Sequence, residues 1–150
     1  MNKIKLYCTY SREKMEFKPV KNGQVKMYVC GPTVYDFAHI GNARPVVVFD
    51  LFYRMFLQSY GEANVTYVRN FTDVDDKINE RSRKLGIKIG ELTNSTIEDY
   101  LFDMDSLGAL RPNFMPRATN YIEQMIEMIK KLIESNNAYS DNGGHVLFSV

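Results

Sequence analysis

Apolar and polar positions change their period several times along the chain, and each change marks an element. Residues 3–8 alternate, with Ile4 and Leu6 on one side, which predicts a short strand. Ser11–Lys14 is polar and turn-like, and Met15–Pro19 fits the returning strand of a hairpin. After Asn22-Gly23, Gln24–Cys30 reads as another strand, its second half buried, and Gly31-Pro32 ends it sharply. From Ala43 to Tyr60 the period lengthens. Val46, Val47, Phe49, Leu51, Phe52, Met55, Phe56 and Tyr60 leave little polar face, so a largely buried helix is expected, although its β-branched start also allows a strand. Gly61 stops it, and Asn64–Asn70 is a further strand. Strand, loop, helix and strand make a right-handed βαβ unit of a parallel nucleotide-binding sheet.

The remainder is mainly helical. Asp75–Leu85 is a short polar helix closed by Gly86. Ile97, Tyr100, Leu101, Met104 and Leu107 form one helical stripe, ended by Gly108. Ile122, Met125, Ile126, Ile129, Leu132 and Ile133 form another. Both stripes are expected in the core rather than around a cofactor. Leu110–Thr119 lies between them as a loop with two prolines. Asn142-Gly143-Gly144 is a hairpin turn signal, and His145–Val150 alternates like a strand that stops without a polar tail. The chain therefore reads as a fragment of a larger sheet protein.

Composition narrows the class. The 150 residues are 45% apolar and 25% charged, with a formal net charge of +1. That length supports one domain with a sizeable core. A near-neutral chain is a poor DNA-coating or membrane-surface protein, though a local patch can still hold RNA. No secretory signal stands at Met1, and the longest apolar run, around Val46–Phe49, is too short to span a bilayer. Two cysteines, Cys8 and Cys30, are too few for a disulfide framework and fit a reducing, cytoplasmic setting.

The chemistry concentrates after the second predicted turn, in Y-V-C-G-P-T-V-Y-D-F-A-H-I-G-N-A-R (residues 28–44). His39, Ile40, Gly41 and Asn42 stand at a helix entrance, where free N–H groups and the positive dipole end favour a phosphate. Histidine donates to a phosphate oxygen, glycine lets a flat ring approach the backbone, and Asn42 adds an uncharged donor. Alone, these four letters are weak, and a lone histidine more often caps a helix or packs in a core. Asp73, Asp75 and Asp76 read as a solvated helix start rather than a metal cluster. Cys8 reads as a small buried hydrophobe or a surface residue.

The whole stretch resembles the amino-terminal signature of class I aminoacyl-tRNA synthetases, and its Y-V-C-G-P-T-V-Y-D lead-in resembles the cysteinyl-tRNA synthetase family. That family's usual tetrapeptide is H-I-G-H, and this chain has Asn42 in the fourth place. Val68–Lys77 (V-R-N-F-T-D-V-D-D-K), Leu110–Thr119 (L-R-P-N-F-M-P-R-A-T) and the Leu6, Tyr7, Glu16, Phe17, Lys18, Pro19 pattern resemble the same family in the same order. The resemblance covers essentially all of the chain.

It implies a Rossmann-like α/β nucleotide-binding domain, of which residues 1–150 are the amino-terminal part, with an inserted connective region beginning near the end. It implies cysteine activation by ATP with Mg²⁺, then transfer to tRNA(Cys), by a cytoplasmic monomer with no DNA or membrane partner. His39, Ile40, Gly41 and Asn42 match ATP-binding positions, His39 and Asn42 being the catalytic pair. Gly31, Thr33 and Thr72 match positions that line the cysteine pocket, where a loop or cap hydroxyl is the plainer role for the two threonines. Cys30 matches the first ligand of a zinc ion whose other ligands lie further along the family's chains. A substrate thiolate binds zinc directly at ~2.3 Å, and serine's harder hydroxyl does not compete. The K-M-S-K-S loop of the family is absent from these residues, so the fragment alone is expected to be inactive. Two alternatives remain at this point. One is a related ligase that transfers activated cysteine to a small amine. The other is a non-catalytic module that holds nucleotide, metal or tRNA.

Overall fold

The computed structural model describes residues 4–141 and 143–150. A hairpin opens the chain: β1 (Lys5–Cys8) pairs antiparallel with β2 (Glu13–Glu16), Leu6 opposite Met15. The returning strand starts earlier than Met15 and stops at Glu16, because the turn is confined to residues 9–12, where Arg12 adopts a positive φ of 57°. β3 (Val25–Val29) and β4 (Val65–Arg69) pair in parallel, Val25 opposite Val65 and Val29 opposite Arg69. Between them runs α1 (Ile40–Tyr60). This is the βαβ unit expected from the change of period.

α1 starts three residues before the apolar run because His39 caps it. The His39 side chain accepts from the Gly41 N–H, and the Asn42 side chain accepts from the His39 N–H, a reciprocal capping box. Pro45 lies one turn in and supplies no N–H to the Gly41 carbonyl. At the far end Gly61, at φ 81°, donates its N–H to the Leu57 carbonyl. The helix is less buried than its composition suggests. Ala43, Val46, Tyr53 and Phe56 are buried, whereas Val47, Val48 and Leu51 are exposed on the side facing away from the sheet.

Two core clusters meet along α1. One packs Tyr53 and Phe56 of α1 on Val25, Val29, Val65 and Tyr67 of the sheet. The other joins Ala43 and Val46 to Val34, Phe71 and the helix α3 (Ile89–Ser106) through Ile97, Tyr100 and Met104. Asp50 and Arg54 fasten the end of that second cluster. Asp50 accepts from the Leu110 N–H and from Arg54, and Arg54 also donates to the Gly108 carbonyl. Before α3, α2 (Asp76–Leu85) is capped by the Asp75 carboxylate and closed by Gly86 in the left-handed conformation.

Three expectations need correction. Leu110–Thr119 is not simply a loop. The Arg69 and Phe71 N–H groups donate to the Phe114 and Pro116 carbonyls, and the Phe114 and Ala118 N–H groups donate back to Tyr67 and Phe71. The segment is thus a parallel neighbour of β4. Pro116 has no N–H to give, and such a residue is tolerated at a sheet edge. Asp73 is not a solvated helix start either. It is 5% exposed, and its carboxylate accepts from both the N–H and the hydroxyl of Thr119, at 2.9 and 2.6 Å, which locks that neighbour in place. Asp75 and Asp76 do stand at the helix entrance.

The third correction concerns α4 (Ile122–Glu134). Its stripe has the expected spacing, but none of its residues is buried, and Met125, Ile126, Ile129 and Ile133 are exposed. A final hairpin pairs β5 (Ala138–Ser140) with β6 (Val146–Phe148), shorter than the alternation over His145–Val150. Of its turn signal, Asn142 lies outside the described residues.

Candidate active site

The site forms where β3 ends and α1 begins. Beyond Val29 the chain does not leave the sheet at once. The Gly31 N–H donates to Asn70 Oδ1 at 2.8 Å, the Thr72 N–H to the Pro32 carbonyl, and the Val34 N–H to the Thr72 carbonyl. Thr33 and Thr72 thereby face each other as a parallel bridge. A side chain at residue 31 has no room: a Cβ there would lie 1.6 Å from the Asn70 carbonyl oxygen. Gly31 is therefore required by the close approach of two backbones.

Two crevices open on this seam. The first is lined by Thr33–His39, Asn42, Thr96 and Tyr100. The second, about 100 Å³, is lined by Cys30, Gly31, Gly41, Asn42, Arg69 and Tyr100, among others. They meet at Pro32, Asn42 and Tyr100. The structure brings Cys30, Gly31, Thr33, His39, Gly41 and Asn42 around one strand end. Ile40 is exposed beside them at the first turn of α1, and Thr72 supports the seam from β4's side without lining either crevice.

The His39 ring has one orientation fixed by its cap. Its Nδ1 accepts from the Gly41 amide at 3.0 Å, so the ring proton sits on Nε2. The ring also covers Gly41 closely enough that a Cβ there would lie 2.7 Å from His39 Cε1. Asn42 spends its oxygen on the His39 N–H at 3.0 Å, which leaves its amide N–H₂ as donors. Both side chains line the first crevice, with Asp36 also on its wall, and their remaining N–H groups suit a phosphate oxygen.

Cys30 is an exposed thiol at the strand end. Among the described residues no group of three or more His, Cys, Asp or Glu side chains is arranged to hold a metal. The residues present therefore do not by themselves make a zinc site. Cys8 is a half-buried free thiol in β1.

Sequence patterns missed three residues of the site. Tyr100 and Thr96 belong to the core stripe of α3 yet also wall the crevices. Arg69 alternates with Val65 and Tyr67 on the buried face of β4. A charge at a core-facing strand position is the signal that points to it. Burial pushes the Tyr67 and Tyr100 hydroxyls up from their ordinary values, and the neighbouring Arg69 charge opposes that shift.

A family described as "tRNA synthetases class I (C) catalytic domain" matches residues 16–150. A cysteine–tRNA ligase of Ruegeria sp. (strain TM1040) is 57% identical over 150 residues, covering 100% of this chain and 33% of the relative. One from Agrobacterium fabrum (strain C58 / ATCC 33970) is 51% identical over 154 residues, covering 99% of this chain and 33% of its own length. The chain thus spans about a third of these curated relatives. The LeuRS of Agrobacterium radiobacter K84 agnB2, solved in a ternary complex with tRNA and LeuAMS, superposes with a TM-score of 0.64 at 20% identity, over 83% of this chain and 16% of that one. At that identity the likeness concerns the fold alone: a parallel-sheet, Rossmann-like domain. Among the described residues no helix is long and apolar enough to cross a membrane.

Proposed function

The chain belongs to the class I (C) tRNA synthetase catalytic-domain family, and from that premise we propose that it is the amino-terminal part of a cysteine–tRNA ligase. The observation that carries the reading is the strand end, where Cys30 and the His39–Asn42 cap open on two joined crevices. The second crevice takes the amino acid, and the first takes the phosphates of ATP. Residues 1–150 are then one part of the catalytic domain, with the connective insertion beginning near β5 and β6.

In the first step an oxygen of the cysteine carboxylate attacks the α-phosphorus of ATP. The bond to the bridging oxygen breaks, and pyrophosphate leaves with its electron pair. In the second step a terminal ribose hydroxyl of tRNA(Cys) attacks the activated carbonyl and displaces AMP. His39 Nε2–H and the Asn42 amide donate to phosphate oxygens as charge builds in the first step. Both donors are held by the capping box before substrate arrives, so little reorganisation opposes the reaction. Ile40 and Gly41 contribute the start of α1, with Mg²⁺ accompanying the nucleotide. Gly31 lines the cysteine pocket, and Thr33 and Thr72 flank it, Thr33 on the adjoining wall of the first crevice and Thr72 by holding the Thr33 segment in register.

Cys30 is our candidate for one zinc ligand. It is a single thiol, and a complete zinc site requires residues beyond 150. We place the protein in the cytoplasm as a monomer. Charging of a tRNA(Cys) transcript by the full-length protein with labelled cysteine tests the reading. The expected result is cysteine esterified to the tRNA. Cysteine transferred only to a small amine would replace this reading with the related ligase.

A further inference from the structure

Arg69 is a buried cation that the described chain does not neutralise. It ends β4 and is 5% exposed. Its guanidinium donates to the Tyr67 hydroxyl and lies 5.2 Å from the centre of that ring. Among the described residues no carboxylate pairs with it. Tyr67 and Tyr100, the phenols around it, are pushed up by burial and stay neutral at ordinary pH. Burying a guanidinium without an anion is unfavourable.

The side chain is not sealed off. It lines the second crevice together with Cys30, Gly31, Gly41 and Tyr100, and no Asp or Glu lines that space. Its stem passes beside Gly31, with Arg69 Cγ 3.3 Å from where a Cβ on that glycine would be. The start of α1 forms the facing wall and adds the positive end of its dipole. A small crevice that is positive on two sides selects an anionic guest.

We propose that Arg69 binds the carboxylate of the amino-acid substrate, from within the second crevice. The proposal rests on the reading of that crevice as the amino-acid pocket. A guanidinium N–H donates a charge-assisted hydrogen bond to one carboxylate oxygen and leaves the other directed toward the joined crevice that takes ATP. His39 and Asn42 serve the phosphates there, so the two anions of the first step have separate partners. Arg69 also rejects thiols that lack a carboxylate.

The test uses the full-length protein, its Arg69→Gln and Arg69→Lys variants, and calorimetric titration with L-cysteine and with cysteamine, which lacks the carboxylate. Wild type is expected to bind cysteine at least about tenfold more tightly than cysteamine. Arg69→Gln is expected to raise the Kd and KM for cysteine roughly 10- to 100-fold, the loss of one buried charge-assisted hydrogen bond. Its cysteamine binding and its KM for ATP stay within about twofold of wild type, and Arg69→Lys recovers part of the cysteine affinity. A folded Arg69→Gln with unchanged cysteine KM overturns the proposal. So does a rise in the KM for ATP alone, or a lower Tm with all affinities kept, which would make Arg69 a structural counter-ion. If neither variant folds, wild type decides: cysteamine bound as tightly as cysteine overturns it, and cysteamine bound at least about tenfold more weakly supports it. A wild type that binds no cysteine defeats the cysteine-ligase reading itself. A wild type that binds cysteine while the Arg69 arms fail defeats only this inference.

Discussion

Alanine in place of His39 is expected to lower cysteine-dependent ATP–pyrophosphate exchange of the full-length protein by about 100- to 1000-fold. The ring does two things at once. Its Nδ1 caps α1 through the Gly41 N–H, and that bond leaves Nε2–H as the donor offered to phosphate. Losing the cap alone costs about 1 kcal/mol of stability, which is too little to explain such a fall in rate. The two contributions separate with His39→Asn. Asparagine caps a helix well, so the stability should return, but its short side chain does not replace Nε2–H and exchange should stay low. Thermal melts beside the exchange assay provide both readouts. Exchange within about threefold of wild type in His39→Ala would remove the role given to this residue.

Gly31→Ala is expected to cost about 3 kcal/mol or more, the upper range for forcing atoms into a packed backbone contact. The new Cβ would stand 1.6 Å from the Asn70 carbonyl oxygen and 2.8 Å from its carbon. Both are backbone atoms at the end of a core strand, so no side chain can turn aside to make room. The shift would also strain the Gly31 N–H bond to Asn70 Oδ1 and the pairing of Thr33 with Thr72 just beyond it. For a domain of this size the loss corresponds to a drop in Tm of roughly 6–12 °C. A melt within about 2 °C of wild type would show that the two backbones separate easily and that the seam is not fixed.

The change of period from two to 3.6 was enough to place β3, α1 and β4, and the parallel pairing follows from the length of the crossover. The helix start was legible only in part. Apolar periodicity begins at Ala43, but the cap is set by polar hydrogen bonds of His39 and Asn42, which periodicity does not register. Leu110–Thr119 departs from its sequence signal for a related reason. Its prolines signal a loop, while its carbonyls still pair with β4, because an edge segment needs only one of its two sides to bond. Asp73 looked like its neighbours Asp75 and Asp76, and only the fold shows that Thr119 meets it across 46 positions. The apolar stripe of α4 predicted a helix correctly, but a stripe does not say which surface covers it.

At the site, the motif residues were legible as chemistry before they were legible as geometry. Cys30, Gly31, Thr33, His39, Gly41 and Asn42 gather at one strand end, with Ile40 exposed beside them. Gly31 proves to be a steric necessity of the seam, and Thr72 bridges to Thr33 without lining either crevice. Arg69 and Tyr100 were hidden because each sits in a pattern that otherwise signals core.

ATP–pyrophosphate exchange by the full-length protein, with cysteine and serine compared, decides whether the crevices beside Cys30 and His39 activate cysteine. Exchange driven by cysteine is expected, with kcat/KM for serine lower by about 1000-fold or more. Equal exchange with serine, or no exchange with either amino acid, would contradict it.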